Sequence, residues 1–375
     1  MHKPHPLCYS RRTISTGILI ATLLGSLGCS QSAQGPTGSA TGGGAQGPDA
    51  ALPGSLLATK VYVAVEDDGV VAVLDGKDLH VLSKIALGDF MAHNVQVAPD
   101  GKSVWVTAVA MEMGGMPMED ELIVLDPVTD TVVQRIKLGL EVHPAHVVLT
   151  PDSKTAFVTG ATKNELIRVD ASTKRILERG PLGHGSGAHG ARVSPDGRSV
   201  WIAEIEGKCV AKAPTAGGTI EHVMLEGQAV QTAVSADGRW VFASVYDAKK
   251  VARIDATSSA VTYAALPGDA EGPLQLYPTP DGHSVLVADQ GLLGGRPASD
   301  KLYFMDIETM RFGEPIHVGQ GAHGVVTFGG RAYVTGLSDG TVTAIDLATR
   351  KVVASVNVGK KPNGISAWTA DKGTP

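Results

Sequence analysis

Seven times along its length this chain returns to the same short pattern, and fixed-period self-similarity constrains a fold more than any local propensity does. Bulky or aromatic residues centre a strand-like run at Tyr62, Trp105, Phe157, Trp201, Phe242, Leu286 and Tyr333, at spacings of 43, 52, 44, 41, 44 and 47 residues. A second mark is an apolar run closed by an acid, at Asp75, Asp126, Asp170, Asp255, Asp306 and Asp346; the copy around Val210 to Pro214 lacks it. A third is the glycine ending the next run, at Gly88, Gly139, Gly183, Gly227, Gly268, Gly319 and Gly359. Each unit holds four short runs of alternating or β-branched residues between turn signals such as Pro99-Asp100-Gly101, and no stretch keeps a helical period. Four strands per unit at this spacing predict an all-β chain: a seven-bladed β-propeller of four-stranded blades over residues 58–371.

The ends of the repeat predict how the ring closes. The chain enters at Lys60 with the second, third and fourth strands of a unit and leaves through Pro362 to Trp368, which reads as a first strand. The N- and C-terminal segments are therefore expected to share one blade, which removes the open sheet edges that invite aggregation. Residues 372–375 are left as a tail. Composition agrees: 46 glycines in 375 residues supply turns, and 43% hydrophobic residues supply a core. A net charge of −6 offers no cationic surface to nucleic acid, and three cysteines cannot build a disulfide framework. Cys209 reads as a buried, inert thiol, and the repeated acids from Asp75 onward read as turn residues.

The first residues read as an address. Lys3, Arg11 and Arg12 precede an uncharged run from Thr13 to Gly28, an export signal too short and too rich in Ser, Thr and Gly to span a membrane. Gly25-Ser26-Leu27-Gly28-Cys29 resembles a bacterial lipobox, with Ser26 where Leu is usual. That resemblance implies a lipoprotein signal over 1–28, lipidation at Cys29 and a membrane partner through the lipid, with plain secretion as the alternative. Ser30 resembles the residue type that permits outer-membrane sorting, and Ser10-Arg11-Arg12 resembles a twin-arginine motif, so both general and twin-arginine export stay open. Residues 29–57, rich in Gly, Ser, Ala, Gln and Pro, form a flexible tether.

Ala332-Tyr333-Val334-Thr335-Gly336 and Val193-Ser194-Pro195-Asp196-Gly197 resemble the YVTN-type repeats of bacterial propellers. The resemblance covers the folded region and implies the fold; it says little about activity, because propellers host unrelated chemistries.

The departures from a plain propeller carry the functional reading. Each connection from a closing glycine to the next innermost strand delivers a polar residue as that strand begins: His93, His146, His189, Gln231, Gln275, His323 and Asn363. Four arrive as Ala-His pairs. On the fold these side chains should converge on one channel mouth, joined by His143 and His184. Imidazoles without an intervening carboxylate suit copper or zinc better than calcium. The longest spacing carries an insertion with Met111, Met113, Met116 and Met118, soft thioethers that prefer Cu(I), expected on the same face. The bland counterparts are a solvated channel and an apolar lid.

Three functions follow as expectations. The first is a metal-binding scaffold with a copper site, zinc or a haem-type cofactor being alternatives; nitrous oxide reductase and the haem d1 propellers of nitrite reductases are similar in using His on a propeller. The second is a metal-free module, monomeric, binding a protein or small molecule on the propeller face. The third is a lactonase-like hydrolase, because His143-Pro144-Ala145-His146 and Pro151-Asp152 are similar to segments of 6-phosphogluconolactonase-type propellers.

Overall fold

The computed structural model describes residues 59–111 and 118–370. The signal, Cys29, the tether, Met113, Met116 and the 372–375 tail lie outside the described residues. The described chain forms seven antiparallel four-stranded sheets. Blade 1 combines Thr59–Val65, Val70–Asp75 and Val81–Ala86 with the C-terminal strand Pro362–Thr369, which lies innermost. Blades 2 to 7 each use consecutive strands, beginning with the innermost strands Phe90–Val97, Pro144–Leu149, Ala188–Val193, Ala229–Val234, Pro273–Pro278 and Ala322–Phe328. Each innermost strand neighbours the next around the ring, and the last meets the C-terminal strand, so the seven sheets close into a β-propeller.

The repeat marks have physical jobs. Tyr62, Trp105, Phe157, Trp201, Phe242 and Tyr333 sit on the second strands and are at most 2% exposed, wedged into cores that adjacent blades share. Tyr62 also donates its hydroxyl to Asp130 Oδ1 at 2.6 Å in blade 2, and Tyr333 donates to the Gly76 carbonyl at 2.7 Å in blade 1. Each marker thus ties its blade to the following one. The repeated acids close turns: Asp75 Oδ1 accepts the Lys77 N–H at 2.7 Å, and Asp126 Oδ1 accepts that of Val128 at 2.7 Å.

Closure is built from both chain ends. Val63 pairs with Ile365 and Thr59 with Thr369. Trp368, 6% exposed, packs with blade 2 residues and donates Nε1–H to the Gly101 carbonyl at 2.7 Å. Burying side chains such as Trp368 and Ile365 contributes about 1.5–3 kcal/mol each. The loop after Ser284–Gly291 in blade 6 is latched to blade 5. Tyr246 donates its hydroxyl to the carbonyls of Gly291 (2.9 Å) and Leu293 (3.0 Å), and Arg296 donates to the carbonyls of Tyr246 and Glu271 at 3.0 and 2.7 Å.

Candidate functional site

Every innermost strand breaks register where its polar residue enters the channel. In all seven blades two residues of the innermost strand face one residue of the second strand, a β-bulge that re-aims side chains. The bulge pairs are His93-Asn94, Ala145-His146, His189-Gly190, Val230-Gln231, Leu274-Gln275, His323-Gly324 and Asn363-Gly364. The expected single ring of equivalent positions is therefore two tiers. His93, His189, His323 and Asn363 take the first position; His146, Gln231, Gln275 and Asn94 take the second. An Ala-His pair reads alike in both tiers, so residue type alone does not show the offset.

Crowding explains the glycines. A Cβ on Gly190 would lie 2.0 Å from Gln231 Oε1, one on Gly324 2.3 Å from the Asn363 carbonyl oxygen, and one on Gly364 2.7 Å from Asn94 Cα. Three of the first-position residues can therefore be large only because the residue after each has no side chain. The bulges are pinned by second-strand hydroxyls that composition did not single out. Thr107, Thr159, Ser244 and Thr335 accept the N–H of Asn94 (2.9 Å), His146 (3.0 Å), Gln231 (3.0 Å) and Gly324 (2.7 Å). Thr159 then donates to the His189 carbonyl at 2.7 Å, and Thr335 to that of Asn363 at 3.0 Å, which locks one blade's bulge to the next.

Five imidazoles meet at this mouth. Ring centroids stand 5.5 Å apart for His93 and His143, 5.9 Å for His93 and His189, and 5.5 Å for His146 and His189. His323 Nδ1 is 2.6 Å from Gln290 Nε2. His143 enters from the connection before blade 3 in a left-handed conformation (φ 49°), held by Asp120, whose Oδ2 accepts its N–H at 2.7 Å. Glu66 completes the mouth: Asn363 Nδ2 donates to its Oε2 at 2.8 Å, and that oxygen lies 3.7 Å from His93 Nδ1. A carboxylate among the imidazoles was not foreseen; Glu66 stands just past the first strand, outside the repeated connection.

Burial keeps most of these imidazoles neutral. It pushes His189 down to about 3 and His323 down to about 4, with repulsion from His93 adding in both. His146 and His143 move down for the same reason. Burial would raise Glu66, but the His93 imidazole beside it and the hydrogen bond from Asn363 outweigh it and hold the carboxyl at about 2. His189 Nδ1 is 3.0 Å from the Val230 carbonyl, so that neutral ring carries its proton on Nδ1 and keeps a lone pair on Nε2. Backbone carbonyls orient metal-bound imidazoles in this way. Gln231 Nε2 donates to Gln275 Oε1 and lies 3.1 Å from His146 Nε2, while His146 Nδ1 is buried without a partner.

Two of the expected residues, His184 and Met118, have other partners. His184 is exposed, and its ring packs against His222 at 5.4 Å rather than against the ring imidazoles. Met118 packs against the core between blades 1 and 2. Met111, which begins the insertion, is part-buried, its N–H on the Asp89 carbonyl at 3.0 Å just before the innermost strand of blade 2. Cys209 is fully buried beside Glu204, and burial first, then that carboxylate, raises its thiol pKa, which keeps it protonated. Among the described residues, Asp75, Asp78 and His80 form the group of three or more potential ligands whose atoms all lie within 4.8 Å of one another, at a partly exposed turn.

Fold and site together define a closed seven-bladed propeller with an imidazole-lined channel mouth. The chain belongs to the SMP-30/gluconolactonase/LRE-like family, whose model matches residues 48–238. Solved structures share the fold. The periplasmic gluconolactonase PpgL of Pseudomonas aeruginosa is 16% identical, covering 83% of this chain and 99% of its own, with a TM-score of 0.66. A catalytically inactive virginiamycin B lyase from Staphylococcus aureus, solved with quinupristin, is 12% identical, covering 82% and 92%, with a TM-score of 0.63. AztD of Citrobacter koseri, in its apo form, is 16% identical, covering 84% and 98%, with a TM-score of 0.54. No functionally curated protein matches the chain. Among the described residues no helix is long and apolar enough to cross a membrane.

Proposed function

We propose that this propeller is an exported, lipid-anchored scaffold of YVTN-type repeats that captures a transition-metal ion at its channel mouth, copper first and zinc second. One observation carries the reading: His93, His143, His146 and His189 form a chain of rings 5.5–5.9 Å apart, with three of the four held neutral by burial. Two imidazoles bound to one ion at Zn–N or Cu–N lengths of about 2.0–2.1 Å have centroids about 5–6 Å apart, so this spacing suits a shared ion after small side-chain rotations. The donor set fits a borderline or soft cation: neutral nitrogens, one ring already oriented through its Nδ1–H, and an orphaned nitrogen on His146. His93, His146 and His189 would hold the ion, His143 and His323 would assist, and the Glu66 carboxylate would balance its charge. A bound ion would supply Lewis acidity or a redox centre. A haem-type cofactor remains a weaker alternative. Met111, Met113 and Met116 would deliver Cu(I) to the site, and Cys29 would carry the lipid.

The test is elemental analysis of the purified protein after anaerobic exposure to Cu(I) and, separately, to Zn(II). Near-stoichiometric metal that is lost in a His93→Ala, His146→Ala, His189→Ala triple variant supports the site. A folded protein that ignores both ions sinks it.

The family match favours a second reading, hydrolysis of a lactone at the same mouth. Glu66 beside His93, at 3.7 Å, supplies a carboxylate–imidazole pair that could activate water. Metal-independent lactone turnover abolished by Glu66→Gln would select this reading over the first.

A further inference from the structure

The opposite end of the channel holds a cation with no counter-charge. Arg192, near the end of the innermost strand of blade 4, donates Nη1–H to the Ala191 carbonyl at 2.8 Å. That is its one side-chain hydrogen bond among the described residues, and no carboxylate there pairs with it. An arginine carries five N–H donors, so most of this fork is unused. Arg192 is half-buried, and burial lowers its pKa, so its charge is partly withdrawn from water. In a chain with 38 acidic residues against 32 basic ones, an unpaired channel arginine is not for want of carboxylates.

Its surroundings are shaped for a ligand. Tyr277, at the end of the innermost strand of blade 6, stands with its ring 5.7 Å from the guanidinium, and its hydroxyl has no hydrogen-bond partner among the described residues. The two line a cavity of about 280 Å³ together with Gln96, Leu149, Pro151 and Pro195. A second cavity of about 250 Å³ shares Gln96 and Tyr277 and continues to Trp368. These volumes approach the lower end of small-molecule sites.

We propose that this far mouth binds a small organic carboxylate. The planar guanidinium fork takes both carboxylate oxygens, the Tyr277 hydroxyl donates to one of them, and the carbon skeleton lies against Leu149, Pro151 and Pro195. A single cation with apolar walls suits one negative charge on a carbon skeleton. A phosphate dianion would leave oxygens unpaired against those walls. This site is separate from the imidazole mouth and does not depend on a metal there.

The experiment is isothermal titration of the full chain with butyrate and with inorganic phosphate at low ionic strength. Saturable butyrate binding is expected, weakened at least tenfold by Arg192→Gln, severalfold by Tyr277→Phe, and to an intermediate degree by Arg192→Lys, which keeps the charge and loses the fork. Phosphate is expected to give no saturable heat. Absence of saturable butyrate binding to the unaltered chain overturns the proposal, and so does equal binding by folded Arg192→Gln and Tyr277→Phe variants. Tighter binding of phosphate than of butyrate overturns the carboxylate assignment. Because Tyr277→Phe removes one oxygen atom, it keeps the test decisive if the arginine variants fail to fold.

Discussion

Acid should loosen the metal-free propeller through its channel imidazoles well before the carboxylates titrate. His189 and His323 titrate at about 3 and 4 in the fold, against an ordinary 6.5. Both pKa values are depressed on folding, so the stability they confer is complete above pH 6.5 and is lost as pH falls toward the folded values. At pH 5 an unfolded histidine gains about 2 kcal/mol from protonation that the folded ring cannot match, so the two together remove about 4 kcal/mol relative to pH 8. That is a large share of a typical total of about 5–15 kcal/mol. His146 pushes in the same direction. Glu66, held at about 2, adds its own loss only as pH falls below about 4.5. The exposed His80, whose pKa Asp78 raises, works in the opposite sense, so the decisive quantity is a difference between proteins. Urea unfolding at pH 8, 6.5 and 5 should show the drop, and a His189→Gln, His323→Gln double variant should flatten most of it. If the double variant keeps the full slope, or the unaltered chain shows none, the imidazoles accept protons equally in both states and the channel mouth is open to water.

The glycine that follows a first-position imidazole should resist even one methyl group. Gly324→Ala places a Cβ 2.3 Å from a backbone carbonyl and should cost about 1–3 kcal/mol or more, read by urea unfolding, with Gly329→Ala a poor control because its φ of 56° is itself strained. Deleting residues 362–375 removes the innermost strand of blade 1 and should abolish the single cooperative transition, followed by circular dichroism on heating. Tyr246→Phe loses two of the hydrogen bonds that hold the loop after Gly291; it should cost about 1 kcal/mol and speed proteolytic cutting between Leu292 and Arg296. Folded Cys209 should escape alkylation by iodoacetamide at pH 8, and rapid labelling would refute its burial beside Glu204.

The propeller was legible because each blade solves the same packing problem with the same residue types. The wedge at Tyr62 or Trp105, the turn acid and the closing glycine recur for reasons local to one blade, and their count gives the number of blades. The convergence of histidines was legible too, since equivalent positions in a closed ring must share a face. His184 misled because proximity in sequence to His189 is not proximity in space: its glycine-flanked loop turns it toward His222. Met118 has a packing role of its own, because a thioether is also an apolar group and it lies part-buried against the core between blades 1 and 2.

Sequence by itself therefore determined the closed all-β ring, its terminal closure and the residue types delivered to one channel mouth, because these follow from period, turn chemistry and strand alternation. Tertiary structure alone decided the two-tier arrangement, since a one-residue offset within a bulge depends on how neighbouring inner strands crowd together and not on either strand alone. It also decided that Glu66 joins the imidazoles while Arg192 stays unpaired. Charges from distant blades meet only when the ring closes, and whether a carboxylate reaches a given cation is set by that geometry.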